Sequence, residues 1–102
     1  NRISKEISLI STSGHTPAHV SILIKSGGEQ AVITGDVLHH PCQIAEPDWE
    51  TISDTDTKQA NLSRKEFLEQ FTDAKTLIIG THFASPTAGY LRRKKDKFEF
   101  TI

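Results

Sequence analysis

Three polar residues directly follow predicted strands, each with a glycine one or two positions before it. They are His15, Asp36 and His82. A glycine at such a point lets the backbone turn sharply or approach another group closely. Two imidazoles and a carboxylate at one site suit Zn²⁺, Fe²⁺ or Mn²⁺. Each residue alone is better explained as a turn residue with a local hydrogen bond, but the setting that all three share favours a metal site.

The other histidines carry weaker signals. His15 and His19 have the i, i+4 spacing of a zinc-binding helix, but Pro17 between them opposes a helix interior and excludes that interpretation. His39 and His40 follow Asp36 by three and four residues. One of them lines a pocket or supports a metal ligand from behind, or both lie in an exposed loop, and the two alternatives have equal weight.

The predicted strands explain how these residues meet. Apolar and β-branched runs predict strands at 7–11, 19–25 and 31–34, which form an antiparallel meander, and a fourth strand at 76–79. The first and third strands of a meander run the same way, so their carboxyl ends share one edge of the sheet. The fourth strand brings His82 to that edge if it is parallel to the third, as a preceding helical crossover would allow.

The remaining elements complete a mixed layer pattern. A capping box at Ser63 predicts the start of a helix over 64–72. Segments 91–93 and 97–101 are predicted to pair as a closing hairpin, and 39–56 is predicted to be irregular. The order of strands, helix and hairpin indicates an α/β fold with a mostly antiparallel sheet and covering helices.

Composition limits the function classes. The chain has 102 residues, which suits one domain, and no apolar run long enough to span a membrane. Its single cysteine forbids an internal disulfide and leaves the redox compartment open. The 12 basic and 13 acidic side chains nearly balance, although 92–97 forms a basic run. A solvated turn is a commoner explanation for such a run than a surface for nucleic acid or anionic lipid.

Three motifs resemble a known superfamily. The Ser-Gly-His-Thr-Pro-Ala-His, Thr-Gly-Asp and Gly-Thr-His-Phe segments are similar to the last three metal-binding motifs of the metallo-β-lactamase fold hydrolases. A wider match resembles the branch of methyl parathion hydrolase-like enzymes and some acyl-homoserine lactonases. It runs through 35–41, 48–49, Asp54, Asp56, 63–64 and 82–89.

The resemblance implies roles for particular residues. His15 would be a ligand of a first metal, Asp36 would bridge two metals, and His82 would be a ligand of the second. His19 would be structural or support a ligand. One departure is Ala18, where the family usually has glycine.

A second departure is larger. The family's upstream His-x-His-x-Asp-His motif is absent from this sequence, which also contains no Met. Residues 1–102 are therefore predicted to be the C-terminal half of a four-layer αββα sandwich whose N-terminal half carries that motif. Its partners would be that missing half, or a second copy of the chain, and a small ester- or lactone-type substrate.

The implied activity is hydrolysis. Two divalent metal ions would share a hydroxide that attacks an ester, lactone or phosphotriester. Zinc is the expected metal, with iron and manganese as alternatives. Asp36 would be the catalytic carboxylate. His39, His40 and Trp49 are candidate pocket residues on the 37–56 loop. The isolated piece, with half a ligand set, is expected to be inactive.

The alternative is a non-catalytic binding or structural module whose 92–97 run contacts an acidic partner or nucleic acid. Under the hydrolase interpretation, neither nucleic acid nor a membrane is the expected partner.

Overall fold

A six-stranded sheet forms the body of the chain. The computed structural model describes residues 2–50 and 54–102. The strands are β1 (Ile7–Ser11), β2 (Val20–Ser26), β3 (Glu29–Ile33), β4 (Thr76–Ile79), β5 (Ala88–Lys94) and β6 (Lys97–Thr101), which lie side by side in chain order. A 3-10 turn (Gly35–Val37) and two helices, α1 (Cys42–Ala45) and α2 (Thr57–Phe71), connect β3 to β4.

The sheet is antiparallel apart from one pair of strands. β3 and β4 run parallel, with Val32 opposite Ile78, because α2 carries the chain back across the sheet between them. The predicted strands at 7–11 and 76–79 have the predicted bounds, and the other two are shifted by one or two residues. The predicted parallel orientation of the fourth strand is confirmed, and so is the closing hairpin, although β5 is longer than predicted.

The hydrophobic core lies on one face of the sheet. Side chains from the strands alternate between the two faces, and one set packs against the helices. The largest buried cluster consists of Val32, Val37, Leu38, Ile44, Phe67, Leu68, Phe71, Ile78, Phe83 and Leu91. Both α1, through Ile44, and α2, through its two phenylalanines, bury their apolar side chains on this face.

The opposite face of the sheet is also apolar. Cross-strand register places its residues in rows, such as Ile7, Ile24, Ala31 and Leu77. This set, called here the outer face, comprises Ile7, Ile22, Ile24, Ala31, Ile33, Leu77, Ile79 and Tyr90. Its members are exposed or half-buried, with Ile7 37% and Tyr90 44% exposed. Among the described residues, the buried apolar side chains Ile44, Phe67, Leu68 and Phe71 of the two helices belong to the core on the other face.

The predicted start of the long helix was wrong. α2 begins at Thr57, seven residues before the predicted bound, and Asp56 is its N-cap, accepting a hydrogen bond from the Gln59 amide at 3.0 Å. Ser63 lies inside the helix, buried, and its hydroxyl donates to the Ser13 carbonyl at 2.6 Å. The Ser63 hydroxyl, which the sequence pattern assigns to a helix cap, instead makes a tertiary contact.

The loop predicted to be irregular contains a short helix. α1 (Cys42–Ala45) lies within 39–56, and the His39 amide next to it donates to the Gln43 side chain at 2.7 Å. Residues 51–53 of the loop lie outside the described residues. In the part of the chain that is described, the longest helix has 15 residues, and none is long and apolar enough to cross a membrane.

Four cations of the basic run have carboxylate partners. On the β5–β6 hairpin, Arg92 pairs with Glu99 at 3.1 Å, and Lys94 approaches the same carboxylate at 3.7 Å. Arg93 pairs with Glu69 on α2 at 3.1 Å, and Lys97 pairs with a glutamate next to α1. These pairs link the hairpin to the helical layer.

The cap of α2 provides a first prediction. Replacing Asp56 with alanine leaves the Gln59 amide without its side-chain acceptor. Losing an N-cap of this kind costs about 1 kcal/mol. We expect chemical denaturation of Asp56→Ala to show a loss of that size with an unchanged m-value, whereas Asp56→Ser, which keeps a capping oxygen, retains most of the stability. Equal losses in both variants would contradict the capping role.

Candidate metal centre

Asp36 is the point at which the strand-end residues meet. Its Oδ2 lies 3.1 Å from His15 Nε2, and its Oδ1 forms a hydrogen bond with His82 Nε2. His15 follows β1, Asp36 follows β3 and His82 follows β4, three strands that run in the same direction. The topology therefore brings the predicted residues to one edge of the sheet, with each carboxylate oxygen on a different imidazole.

The protonation pattern of Asp36 follows from its neighbours. Burial acts to raise the pKa of its carboxyl group, but the hydrogen bond with His82 and the electrostatic interactions with His15, His82 and His39 outweigh it. The net result is a pKa below the ordinary value for aspartate. Asp36 is therefore a carboxylate at neutral pH, in the form that binds a cation.

His15 is oriented from behind by Asp54. Its Nδ1 lies 3.0 Å from Asp54 Oδ1, while its Nε2 faces Asp36. Because a carboxylate accepts hydrogen bonds, an Nδ1–H of His15 can donate to Asp54, and the ring orientation that this contact fixes directs Nε2 to the site. Metal-binding histidines commonly have such a carboxylate on the far nitrogen.

Asp54 is in turn paired with a buried arginine. The side chains of Asp54 and Arg64 are both 0% exposed, and Arg64 Nη2 lies 3.7 Å from Asp54 Oδ2. The same guanidinium donates to the carbonyls of Val37 at 2.9 Å and Pro47 at 2.7 Å, and to the Asn61 side chain at 2.8 Å. Burial lowers the pKa of Arg64 and nearby carboxylates oppose this effect; arginine stays charged.

The sequence interpretation gave Asp54 and Arg64 no role. One signal was present for Arg64, which occupies the apolar stripe of α2 together with Ala60, Phe67 and Phe71. A charge on such a stripe must be buried with a partner. For Asp54 the signal was its place, with Arg64, in the wider match to the hydrolase superfamily; the local pattern does not separate it from Asp56, which has the same side chain and caps the helix.

His19 supports Asp36 through the backbone. Its Nε2 accepts a hydrogen bond from the Asp36 amide at 2.8 Å, and its Nδ1 lies 2.9 Å from the Thr12 hydroxyl. Gly35 makes this approach possible: its φ is +60°, and a Cβ there would lie 2.9 Å from His19 Nε2. His19 therefore holds the turn that presents Asp36.

His39 lies between His15 and His82. Its ring centroid is 5.1 Å from that of His15 and 5.3 Å from that of His82, and it stacks on the latter. Its Nε2 is 3.9 Å from Asp36 Oδ1. Burial lowers the pKa of His39, and the charges of Asp54 and Asp36 act in the opposite direction. A lowered pKa favours the neutral imidazole, which is the form that binds metals.

The other two predicted pocket residues lie differently. His40 is exposed, and its Nδ1 accepts a hydrogen bond from the Cys42 amide at 3.0 Å, at the start of α1. Trp49 is 57% exposed, and its carbonyl accepts from the Gln43 side chain at 2.9 Å. A pocket role for either residue stays a prediction.

The loop that carries His15 is fixed to the start of α2. The Asp56 amide donates to the Gly14 carbonyl at 2.8 Å, and the Thr55 amide donates to the His15 carbonyl at 3.0 Å. Gly14 has a φ of +134°, and a Cβ there would lie 2.2 Å from the Ala60 amide nitrogen. Glycine is required for this contact, and the contact sets the position of His15 relative to Asp54.

The cluster fits divalent transition metals. Donor atoms of His15, His39 and Asp54 lie within 4.8 Å of one another, and so do those of Asp36, His39 and His82. Imidazole nitrogens and carboxylate oxygens are the donors that zinc and iron accept. In the described chain, His39 Nδ1 is buried without a hydrogen-bond partner. An unpaired buried nitrogen on a residue that belongs to both groups agrees with a site that holds a cation.

Comparison with solved structures identifies the fold. No protein-family model matches the sequence, and no functionally curated protein does either. The chain is similar to AidC, a dizinc quorum-quenching lactonase solved in complex with a product, with a TM-score of 0.89 and 30% identity over 99% of this chain and 35% of that one. It is also similar to AbOPH, a hydrolase in the β-lactamase superfamily, with a TM-score of 0.86 and 28% identity over 95% of this chain and 34% of that one. The chain has part of the metallo-β-lactamase fold.

A more distant structure has the same fold. An N-acyl homoserine lactone hydrolase, with its product bound at the catalytic metal centre, has a TM-score of 0.72 and 21% identity over 84% of this chain and 34% of that one. The chain thus spans about a third of the length of the metallo-β-lactamase fold proteins it matches. The predicted resemblance to metallo-β-lactamase fold hydrolases is confirmed.

Proposed function

We propose that this chain is the C-terminal part of a dinuclear metal-dependent hydrolase that acts on a small ester-type substrate, such as a lactone or a phosphotriester. His15, Asp36 and His82 are three of its metal ligands in this proposal. The observation that carries it is the position of Asp36, whose two carboxylate oxygens each face a different histidine. A carboxylate so placed has one oxygen available for each of two metal ions.

The chemistry follows from the donor set. When bound, divalent metal ions lower the pKa of water and polarise the carbonyl or phosphoryl oxygen of an ester. The residues of this chain supply the rest. Asp36 contributes negative charge at the centre, and His15 and His82 offer lone pairs on either side of it. The neutral ring of His39 lies next to His15 and His82 and lines the space in which a substrate would lie.

Support for a longer protein comes from the sheet. The outer face is apolar. In a sheet buried on one face only, apolar and polar residues would alternate along each strand. Together with the third of the relatives' length that the chain spans, this supports an N-terminal half that covers the outer face and supplies the remaining ligands.

The test uses the complete protein and the 102-residue piece in parallel. We expect the complete protein to hydrolyse an activated aryl ester, an N-acyl homoserine lactone or an aryl phosphotriester, to lose that activity to a chelator, and to regain it with added zinc. The piece alone should show no turnover above the rate in buffer. Chelator-insensitive turnover, or activity of the piece, would contradict the proposal.

A further inference from the structure

We propose that the buried pair of Arg64 and Asp54 is a positioning unit that fixes the ring orientation of His15. This inference rests on the proposed function, because it concerns a ligand of the proposed metal site. Both side chains are 0% exposed, and Asp54 Oδ1 contacts His15 Nδ1, while Asp36 is on the other ring nitrogen. Both act through His15, so they are positioning residues rather than catalytic ones.

The energetics of the pair point to a specific use. A fully buried ion pair loses its hydration, and replacing it with apolar side chains is often neutral or stabilising. Here the charge contact is long, at 3.7 Å, and Arg64 Nη2 and Asp54 Oδ2 make no hydrogen bond within the described residues. The pair is therefore poorly suited to stabilise the fold. The well-formed contact of Asp54 is its other oxygen, at 3.0 Å from His15 Nδ1.

Arg64 also connects Asp54 to the other side of the site. Its Nε donates to the carbonyl of Val37, the residue directly after Asp36. One guanidinium thus fixes the turn that presents Asp36 and the carboxylate that orients His15. The 3.1 Å separation of His15 Nε2 and Asp36 Oδ2 depends on both of these contacts. Through Arg64, the position of α2 becomes part of the geometry of the metal site.

The experiment compares Asp54 with Asp56 in the complete protein. Asp54→Ala removes the acceptor behind His15, whereas Asp56→Ala removes a helix cap from the same segment and controls for changes at the start of α2, with a smaller loss of stability. We expect Asp54→Ala to weaken zinc binding about 10- to 100-fold, the usual effect of removing a partner behind a metal ligand. Asp56→Ala should bind zinc as the wild type does.

Two further readouts do not depend on activity. NOEs of the His15 ring protons should report one ring orientation in the metal-free wild type and in Asp56→Ala, and averaging between orientations in Asp54→Ala. Asp54→Asn, which keeps an oxygen acceptor without the charge, should restore the single orientation in part and serves if Asp54→Ala fails to fold. Arg64→Lys should retain more zinc affinity than Arg64→Met, because it keeps the buried charge opposite Asp54.

The outcomes separate the two proposals. Equal zinc affinity and an unchanged His15 ring orientation in Asp54→Ala would overturn the positioning role, whatever the stability of the variant. A loss of zinc affinity that is the same in Asp54→Ala and Asp56→Ala would overturn it as well. If the wild-type protein binds no zinc, the proposed function fails, while the comparison of ring orientations still decides the role of Asp54.

Discussion

Replacing Asp36 with alanine should remove nearly all metal-dependent hydrolysis from the complete protein. The carboxylate is the negative charge at the centre of the cluster, and without it His15 and His82 have no anion between them. Electrostatic stabilisation by metal ions is worth several kcal/mol, so a loss of about 4 kcal/mol corresponds to a fall on the order of 10³-fold in kcat/KM. Metal content per protein, measured by mass spectrometry, should fall with it.

Controls for this prediction lie in the same loop. His40→Ala removes an exposed imidazole that accepts from the Cys42 amide, and we expect kcat/KM to change by about twofold at most, as for other surface substitutions. His39→Ala should have an intermediate effect, because its ring contacts both His15 and His82. An Asp36→Ala protein that keeps its metal and half of its activity would exclude Asp36 from the ligand set.

The strands and the site edge were predictable from local patterns. Apolar runs marked β1 and β4 to the residue, and the parallel pairing of β4 followed from the need for a crossover between parallel strands. Once the strand directions are known, the convergence of His15, Asp36 and His82 follows, since each of them lies three or four residues after the end of a strand.

The start of α2 could not be predicted because two sites compete for it. Asp56 with Gln59, and Ser63 with Glu66, have the same capping spacing. Local sequence preferences favour neither site, and Arg64 interrupts the apolar stripe between Ala60 and Phe67. The arginine belongs to the helix because Asp54 and two loop carbonyls satisfy it, and these contacts exist only in the folded chain.

The outer face of the sheet supports the second large prediction. The isolated 102-residue piece should self-associate through this face, and Leu77→Glu should make it monomeric, because a carboxylate at Leu77 places charge within the row of Ile7, Ile24 and Ala31. Exposed apolar patches of more than a few hundred Å² commonly mark interfaces. Sedimentation velocity over a range of concentrations measures the association.

The same substitution should have the opposite consequence in the complete protein. There the N-terminal half is proposed to cover the outer face, and Leu77→Glu would bury a charge without a partner, at a cost of about 3 kcal/mol or more in the free energy of unfolding. Leu62→Glu is the matched control, since Leu62 is an exposed leucine on α2, on the helical side of the sheet. It should leave both the mass of the piece and the stability of the complete protein nearly unchanged. A wild-type piece that stays monomeric at high concentration, or a complete protein that tolerates Leu77→Glu as well as Leu62→Glu, would mean that the outer face is not where the rest of the protein packs.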